Sequence, residues 1–194
     1  PEPVSRSYKG RILRFNGHPI PTRGWDTVNR HHHPSHGPLW GSGFHPIPGP
    51  HAHMFTDGSA GENRLPSACA VFADDRLRTN EFSPSLYAWR LSDPAANSFL
   101  AELAAINRAL RMVPVTVDLT IHTDSLSSIQ SIEKLLASAG TLTSCPARPY
   151  ICSILNAHVA RSLHGASTSI AHVRSHTGKR DLWSIGNEAA DRGA

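Results

Sequence analysis

Apolar and polar positions from residue 54 onward repeat with periods that assign the elements. Residues 54–57 read as a short first strand that ends at a Gly58-Ser59 turn. Residues 69–73 and 86–91 predict two further strands; in the second, Tyr87, Trp89 and Leu91 share one face by the period of two. These three can form an antiparallel meander. From 95 to 112, Phe99, Leu103, Ile106 and Leu110 recur at steps of four, three and four, a helical stripe that Pro114 closes. Val115, Val117, Leu119 and Ile121 then alternate with Thr116, Asp118, Thr120 and His122, as in a half-buried strand. Residues 125–139 predict a second helix, with Leu126, Ile129, Ile132 and Leu136 inward and Gly140 as its stop. A polar loop over 140–149 leads to a third helix over 150–163, a fifth strand over 167–173 and a last helix that begins near Asn187. The order βββαβααβα predicts an α/β domain, a mixed five-stranded sheet with helices packed on it.

The start of the chain lacks this periodicity. Residues 1–53 hold nine of the fifteen prolines, seven of the fourteen glycines and eight of the thirteen histidines. The expectation is a disordered linker over residues 1–52 followed by one folded domain over 53–194. Six Lys/Arg face two Asp/Glu in residues 1–53, whereas residues 54–194 carry thirteen of each sign, so the net charge of +4 lies wholly in the first segment. A basic arm suits a polyanionic partner, because Lys and Arg displace counterions from phosphates; a soluble tether is the plainer reading. The run His31-His32-His33-Pro34-Ser35-His36 offers imidazoles to Zn²⁺ or Ni²⁺ but lacks companion Cys or Asp ligands, and reads as a solvated low-complexity tract. Cys69, Cys145 and Cys152 are odd in number and have no metal-knuckle spacing, which disfavours a disulfide framework and fits a reducing compartment. No apolar run approaches the roughly 20 residues that cross a bilayer, and the N-terminus has no signal-peptide core. An intracellular protein, nuclear or cytoplasmic, is expected. The ends at Pro1 and just past Asp191 suggest a piece of something longer.

Three carboxylates carry the candidate chemistry. Asp57 ends a predicted strand in Thr56-Asp57-Gly58-Ser59, where its alternative is a turn-forming Asx residue. Glu102 lies on the apolar side of its helix, between Phe99 and Ile106, where a carboxylate is expensive unless it binds something; no ion-pair partner is evident. Asp124, in Thr123-Asp124-Ser125, ends a strand and precedes a helix, so that a helix cap competes with metal binding for its lone pairs. Gathering anions is costly without a cation, and hard oxygen ligands favour Mg²⁺ or Mn²⁺. Phosphodiester hydrolysis needs a hydroxide nucleophile, charge relief and help for the leaving alkoxide. Two metal ions roughly 3.5–4 Å apart supply all three. Asp57 is the best candidate to bridge both.

These motifs, taken in order, resemble the ribonuclease H family, and in particular the ribonuclease H domain of non-LTR retrotransposon polyproteins. The resemblance covers roughly residues 53–194: Phe55-Thr56-Asp57-Gly58-Ser59 as first strand and turn, residues 98–106 as first helix, and Ile121-His122-Thr123-Asp124-Ser125 as the end of the fourth strand. His172-Val173-Arg174-Ser175-His176-Thr177-Gly178 and Gly186-Asn187-Glu188-Ala189-Ala190-Asp191 resemble its closing loop and helix. Each tetrapeptide alone is weak; their order over one domain is the signal. The resemblance implies the ribonuclease H-like fold and a catalytic set of Asp57, Glu102, Asp124, His176 and Asp191. It selects Asp191 over the nearby Asp181 and Glu188. It implies that Asp57 and Asp191 hold the ion that activates water, that Asp57, Glu102 and Asp124 hold the ion at the leaving oxygen, and that His176 assists proton transfer or product release. The segment between His176 and Asp191 is longer than in the compact form of the motif, the excess falling within 179–185.

The implied activity is cleavage of the RNA strand of an RNA/DNA hybrid with two Mg²⁺ ions, Mn²⁺ being a possible substitute. The implied setting is a retroelement polyprotein that also carries a reverse transcriptase domain. Strand choice would rest on 2′-hydroxyl contacts near Gly58, Ser59 and Glu102, and Arg174, with Lys179 and Arg180, would meet backbone phosphates. The rivals are a stand-alone cellular ribonuclease H, a catalytically idle nucleic-acid-binding module of the same fold, and a DNA-cutting integrase or transposase of related fold. Retention of all four carboxylates weighs against idleness.

Overall fold

The computed structural model describes residues 12–14, 51–61, 66–73, 86–92, 96–137, 146–175 and 181–194. Among them, six strands form one mixed sheet: β1 (Ile12–Arg14), β2 (His51–Ser59), β3 (Ser67–Phe72), β4 (Leu86–Arg90), β5 (Asp118–Thr123) and β6 (Thr168–His172). Four helices pack with it: α1 (Ser98–Met112), α2 (Leu126–Ala137), α3 (Arg148–Leu163) and α4 (Leu182–Gly193). The sheet order is β1-β6-β5-β2-β3-β4. β2, β3 and β4 form the predicted antiparallel meander, while β5 and β6 run parallel to β2. The five strands and the fold class read from the sequence are therefore present, and β1 extends the sheet along the free edge of β6.

Local chemistry sets the boundaries. The turn expected at Gly58-Ser59 lies further on, because Asp57, Gly58 and Ser59 stay paired with Cys69, Ala68 and Ser67 and β2 runs unbroken from His51 to Ser59. β2 thus takes in His51 and Ala52 of the expected linker, and Ile12–Arg14 of that segment pairs with β6, while the rest of residues 1–50 lies outside the described residues. Asn97 caps α1, its side chain accepting from the Leu100 amide at 3.0 Å. β5 starts at Asp118 rather than Val115. A turn closed by the Val117 amide on the Pro114 carbonyl, 3.1 Å, takes the preceding residues. The fully buried Arg161 of α3 holds that turn, donating to the carbonyls of Val113, Pro114 and Val117 and to the Thr168 hydroxyl. α4 begins at Leu182, well before Asn187, because Asp181 accepts from the Ser184 amide at 2.8 Å and caps it.

Two apolar layers flank the sheet. The larger joins Met54, Ala70, Ile121 and Ile170 to Leu103, Ile106 and Leu110 of α1, Ile129 and Ile132 of α2 and Ile154 of α3. The smaller, on the other face, joins Phe55, Cys69 and Val71 to Ala189 and Ala190 of α4, with Leu182, Trp183 and Ile185 at its margin. Cys69 and Cys152 are buried free thiols, and Cys145 lies outside the described residues. No helix among the described residues is long and apolar enough to cross a membrane.

Candidate active site

The carboxylates meet where the central strands end. Asp57 stands near the end of β2, Asp124 directly follows the adjacent parallel β5, and Glu102 comes from the first turns of α1. One oxygen from each lies within 4.8 Å of the others. Gly58 makes this convergence possible. A Cβ there would stand 2.2 Å from the Glu102 backbone nitrogen and 2.3 Å from the Ala101 carbonyl carbon, so only glycine lets α1 reach β2 so closely. That packing role differs from the turn expected at Gly58 from sequence.

Burial governs the electrostatics. Asp57 and Glu102 are only 8% and 9% exposed. Desolvation, followed by the charges of Asp57 and Asp124, pushes Glu102 from 4.5 to about 10, overriding the Gly58 amide that favours its ionised form. Asp57 is raised too, by burial and then by Asp124, with a further push from Asp191. Glu102 Oε2 is buried with no hydrogen-bond partner. A cation would remove each of these penalties at once, and three hard oxygen donors suit a divalent ion of the magnesium kind.

The remaining expected residues are placed less uniformly. Asp191 is exposed on α4 and outside the three-carboxylate cluster, although its charge reaches Asp57. His176 lies outside the described residues, as do Lys179, Arg180 and the tract 31–36. Ser59 donates to the Ala194 carbonyl at 2.7 Å and lies 3.1 Å from the Ser67 hydroxyl. Arg174 is exposed, one residue beyond Val173, whose amide donates to the Thr123 carbonyl. The Asp124 Oδ2 accepts from Asn187 Nδ2 at 3.2 Å, and His172 Nε2 donates to its backbone carbonyl, also at 3.2 Å.

Asn187 is the residue that sequence reasoning missed. It is 3% exposed, orients the Asp124 carboxylate, and keeps its own Oδ1 buried without a partner. Gly186 sets its depth, since a Cβ there would meet the Phe55 ring at 2.3 Å. The signal was present in Gly186-Asn187-Glu188, where a glycine inside a helix marks a close approach. His51, His53 and His122 stack in a row, with Trp183 edge-on to His53 and tilted against His122, and His53 Nδ1 lies 3.0 Å from His122 Nε2. Burial lowers His53 to about 4 and His122 to about 3.

The RNase H family profile matches residues 50–194, nearly three quarters of the chain and all of its described core from β2 onward. The chain belongs to the RNase H family. A solved structure described as the foamy viral protease-reverse transcriptase in complex with dsDNA is similar over 77% of this chain and 97% of its own, with a TM-score of 0.52. At 20% identity that likeness concerns the fold. No curated protein sequence matches this RNase H chain.

Proposed function

We propose that this RNase H chain is a divalent-metal endonuclease that hydrolyses the RNA strand of RNA/DNA hybrids, as one domain of a retroelement polyprotein with a reverse transcriptase, of the non-LTR retrotransposon kind. The observation that carries the reading is the cluster of Asp57, Glu102 and Asp124 with a buried, unpartnered Glu102 oxygen, in a chain of this family. The foamy viral neighbour, itself a protease-reverse transcriptase, supports the polyprotein setting.

In this proposal Asp57, Glu102 and Asp124, with Asp191 from α4, hold two Mg²⁺ ions, for which Mn²⁺ can substitute. Bound there, the ions would supply a hydroxide at neutral pH and neutralise charge on the phosphate and the leaving oxygen. The protein's own residues do the positioning. Gly58 lets Glu102 and Asp57 share a site, and its amide favours the ionised form of both. Asn187 and His172 fix Asp124 by its side chain and its backbone. Arg174 meets backbone phosphate, the Gly58, Ser59 and Glu102 neighbourhood reads the 2′-hydroxyl, and His176 moves a proton late in the cycle.

Labelled RNA/DNA, RNA/RNA and DNA/DNA duplexes, each with and without Mg²⁺, test the reading. Cleavage is expected for the RNA strand of the hybrid alone, with Mg²⁺, leaving 3′-hydroxyl and 5′-phosphate ends. Asp57→Asn should lower it by several orders of magnitude while hybrid binding survives. Cleavage without a divalent ion, or near-normal turnover by Asp57→Asn, would sink the assignment.

A further inference from the structure

The end of the meander nearest Asp57 carries a row of polar side chains that the three-carboxylate cluster does not use. Ser59 pairs with Ser67 and Ser67 with Arg90, so the three stand side by side across β2, β3 and β4. Paired residues share a face of the sheet, and so do residues two apart on one strand. Arg90 is therefore on the same face as Asp57. Strand spacing puts its backbone ~10 Å from that of Ser59 and ~12 Å from that of Asp57. A nucleic acid strand rises about 3.4 Å for each nucleotide, so Arg90 is within a few nucleotides of a phosphate held at the carboxylates.

A cleft of about 510 Å³ opens at this row, its lining including Ser59, Gly61, Ser67, Trp89, Arg90 and Ala194. Donors and acceptors are divided unevenly within it. The Ser59 and Ser67 hydroxyls both donate to the Ala194 carbonyl. A hydroxyl has one proton, so what each still offers is lone pairs, which suit a hydroxyl donor and repel a phosphate oxygen. Arg90 is the reverse, an exposed cation with donors only. Trp89 carries Arg108 over its ring at 5.5 Å, and its buried Nε1 has no hydrogen-bond partner among the described residues, an unmet donor on a residue that lines the cleft. Phosphate donors beside hydroxyl acceptors are the complement of a ribonucleotide unit.

We propose that this cleft is a second contact for the RNA strand, away from the cut, in which Arg90 pairs with a backbone phosphate and the Ser59 and Ser67 oxygens accept from a neighbouring ribose 2′-hydroxyl. The proposal rests on the hybrid-cleavage reading for the identity of the strand. The cleft and its row of residues are independent of that reading. The plainer role of Ser59 and Ser67 is to fasten the end of α4 through Ala194, and that of Arg90 is to put a charge on an edge strand; the experiment separates these from the proposal.

The test uses the full chain carrying Asp57→Asn, which is expected to bind hybrid without cutting it, and a short hybrid that the chain without that substitution cuts at one position. In this parent, Arg90→Ala should lower the logarithmic slope of affinity against salt by roughly 0.7–0.9, the share of one phosphate, and Arg90→Lys should restore it. A neutral methylphosphonate is then placed at one RNA linkage at a time. One linkage within a few nucleotides of the cut should weaken binding by up to about 5-fold in the parent, the size of an exposed ion pair, and should have no effect in Arg90→Ala. Single 2′-deoxy substitutions beside that linkage should weaken binding by the parent and leave binding by Ser67→Ala as it was. An unchanged salt slope in Arg90→Ala, or the same methylphosphonate pattern in both proteins, would overturn the phosphate contact. A 2′-deoxy penalty equal in the parent and in Ser67→Ala would overturn the sugar contact and reduce the serines to fasteners of α4. Failure of the chain without Asp57→Asn to cut any hybrid is a separate result that strikes the hybrid-cleavage reading, since the salt-slope comparison needs no cut.

Discussion

Replacing Glu102 by glutamine should make the metal-free protein more stable while destroying the site. Glu102 rises from 4.5 unfolded to about 10 in the folded chain because it is buried beside Asp57 and Asp124. A group whose pKa is raised on folding supports the fold fully below its unfolded value, and that support drains away as pH rises toward the folded one. Each pH unit above 4.5 costs ~1.4 kcal/mol, so at pH 7 the wild-type carboxyl opposes folding by about 3 kcal/mol. Glutamine has nearly the same shape and no proton to manage. The Glu102→Gln protein should melt about 10 °C higher than wild type at pH 7 in chelator, with the gap near zero at pH 4.5 and still widening at pH 8. Saturating Mg²⁺ should reverse the order, since an ion at 1,000 times its dissociation constant adds about 4.1 kcal/mol to a protein that keeps its ligands. Thermal melts at several pH values, with chelator and with Mg²⁺, check each step. A metal-free variant less stable than wild type at pH 7, or a gap that does not change with pH, would refute the reasoning.

Gly58→Ala should cost at least ~3 kcal/mol and disable cleavage, since the new methyl meets backbone atoms of α1 that cannot step aside; denaturant titration and a cleavage assay measure both. Asn187→Ala removes the donor to Asp124 and should raise the Mg²⁺ concentration for half-maximal activity by about 10–100-fold, read from a metal titration; an unchanged midpoint would leave Asn187 a packing residue. His53 and His122 have pKa values lowered on folding, to about 4 and about 3. Their contribution is complete above about 6.5 and lost as pH falls through that interval. The double variant His53→Gln/His122→Gln should therefore show a flatter loss of melting temperature between pH 6.5 and 4 than wild type, and equal slopes would contradict their being buried neutral.

The sequence made the strands and helices of the domain legible because their periodic faces correspond to real layers: Leu103, Ile106 and Leu110 are all buried in the larger core. Asp57, Glu102 and Asp124 were legible for the same reason, as carboxylates at apolar or strand-end positions that only a shared site would explain. Four features were hidden by kinds of information that a pattern does not carry. Gly58 looked like a turn because glycine is common in turns, whereas its reason is the approach of a helix distant in sequence. The start of α4 is hidden because its first turn is set by a cap from Asp181 and not by an apolar period. Arg161 and Asn187 are polar residues buried by hydrogen bonds to elements far along the chain, and local spacing is blind to such partners. The strand Ile12–Arg14 is three residues long, too short for a period to register.

The two faces of the sheet hold the active site with unequal grip. Asp57, Glu102 and Asp124 are built on β2, α1 and β5, which share the larger apolar layer. Asn187 and Asp191 ride on α4, whose footing is Phe55, Cys69 and Val71 against Ala189 and Ala190, with Leu182, Trp183 and Ile185 at the margin. This layer is much the smaller of the two, so releasing α4 costs less than unfolding the domain, and this helix is the natural unit of local opening. Such an opening would free the Asp124 carboxylate from Asn187 and carry Asp191 away, leaving a folded sheet with half a site. Activity would then be governed by the docking equilibrium of one helix, and heat or mild denaturant would silence the protein well before melting it. Anything that pins α4 down would act as an activator without touching the chemistry.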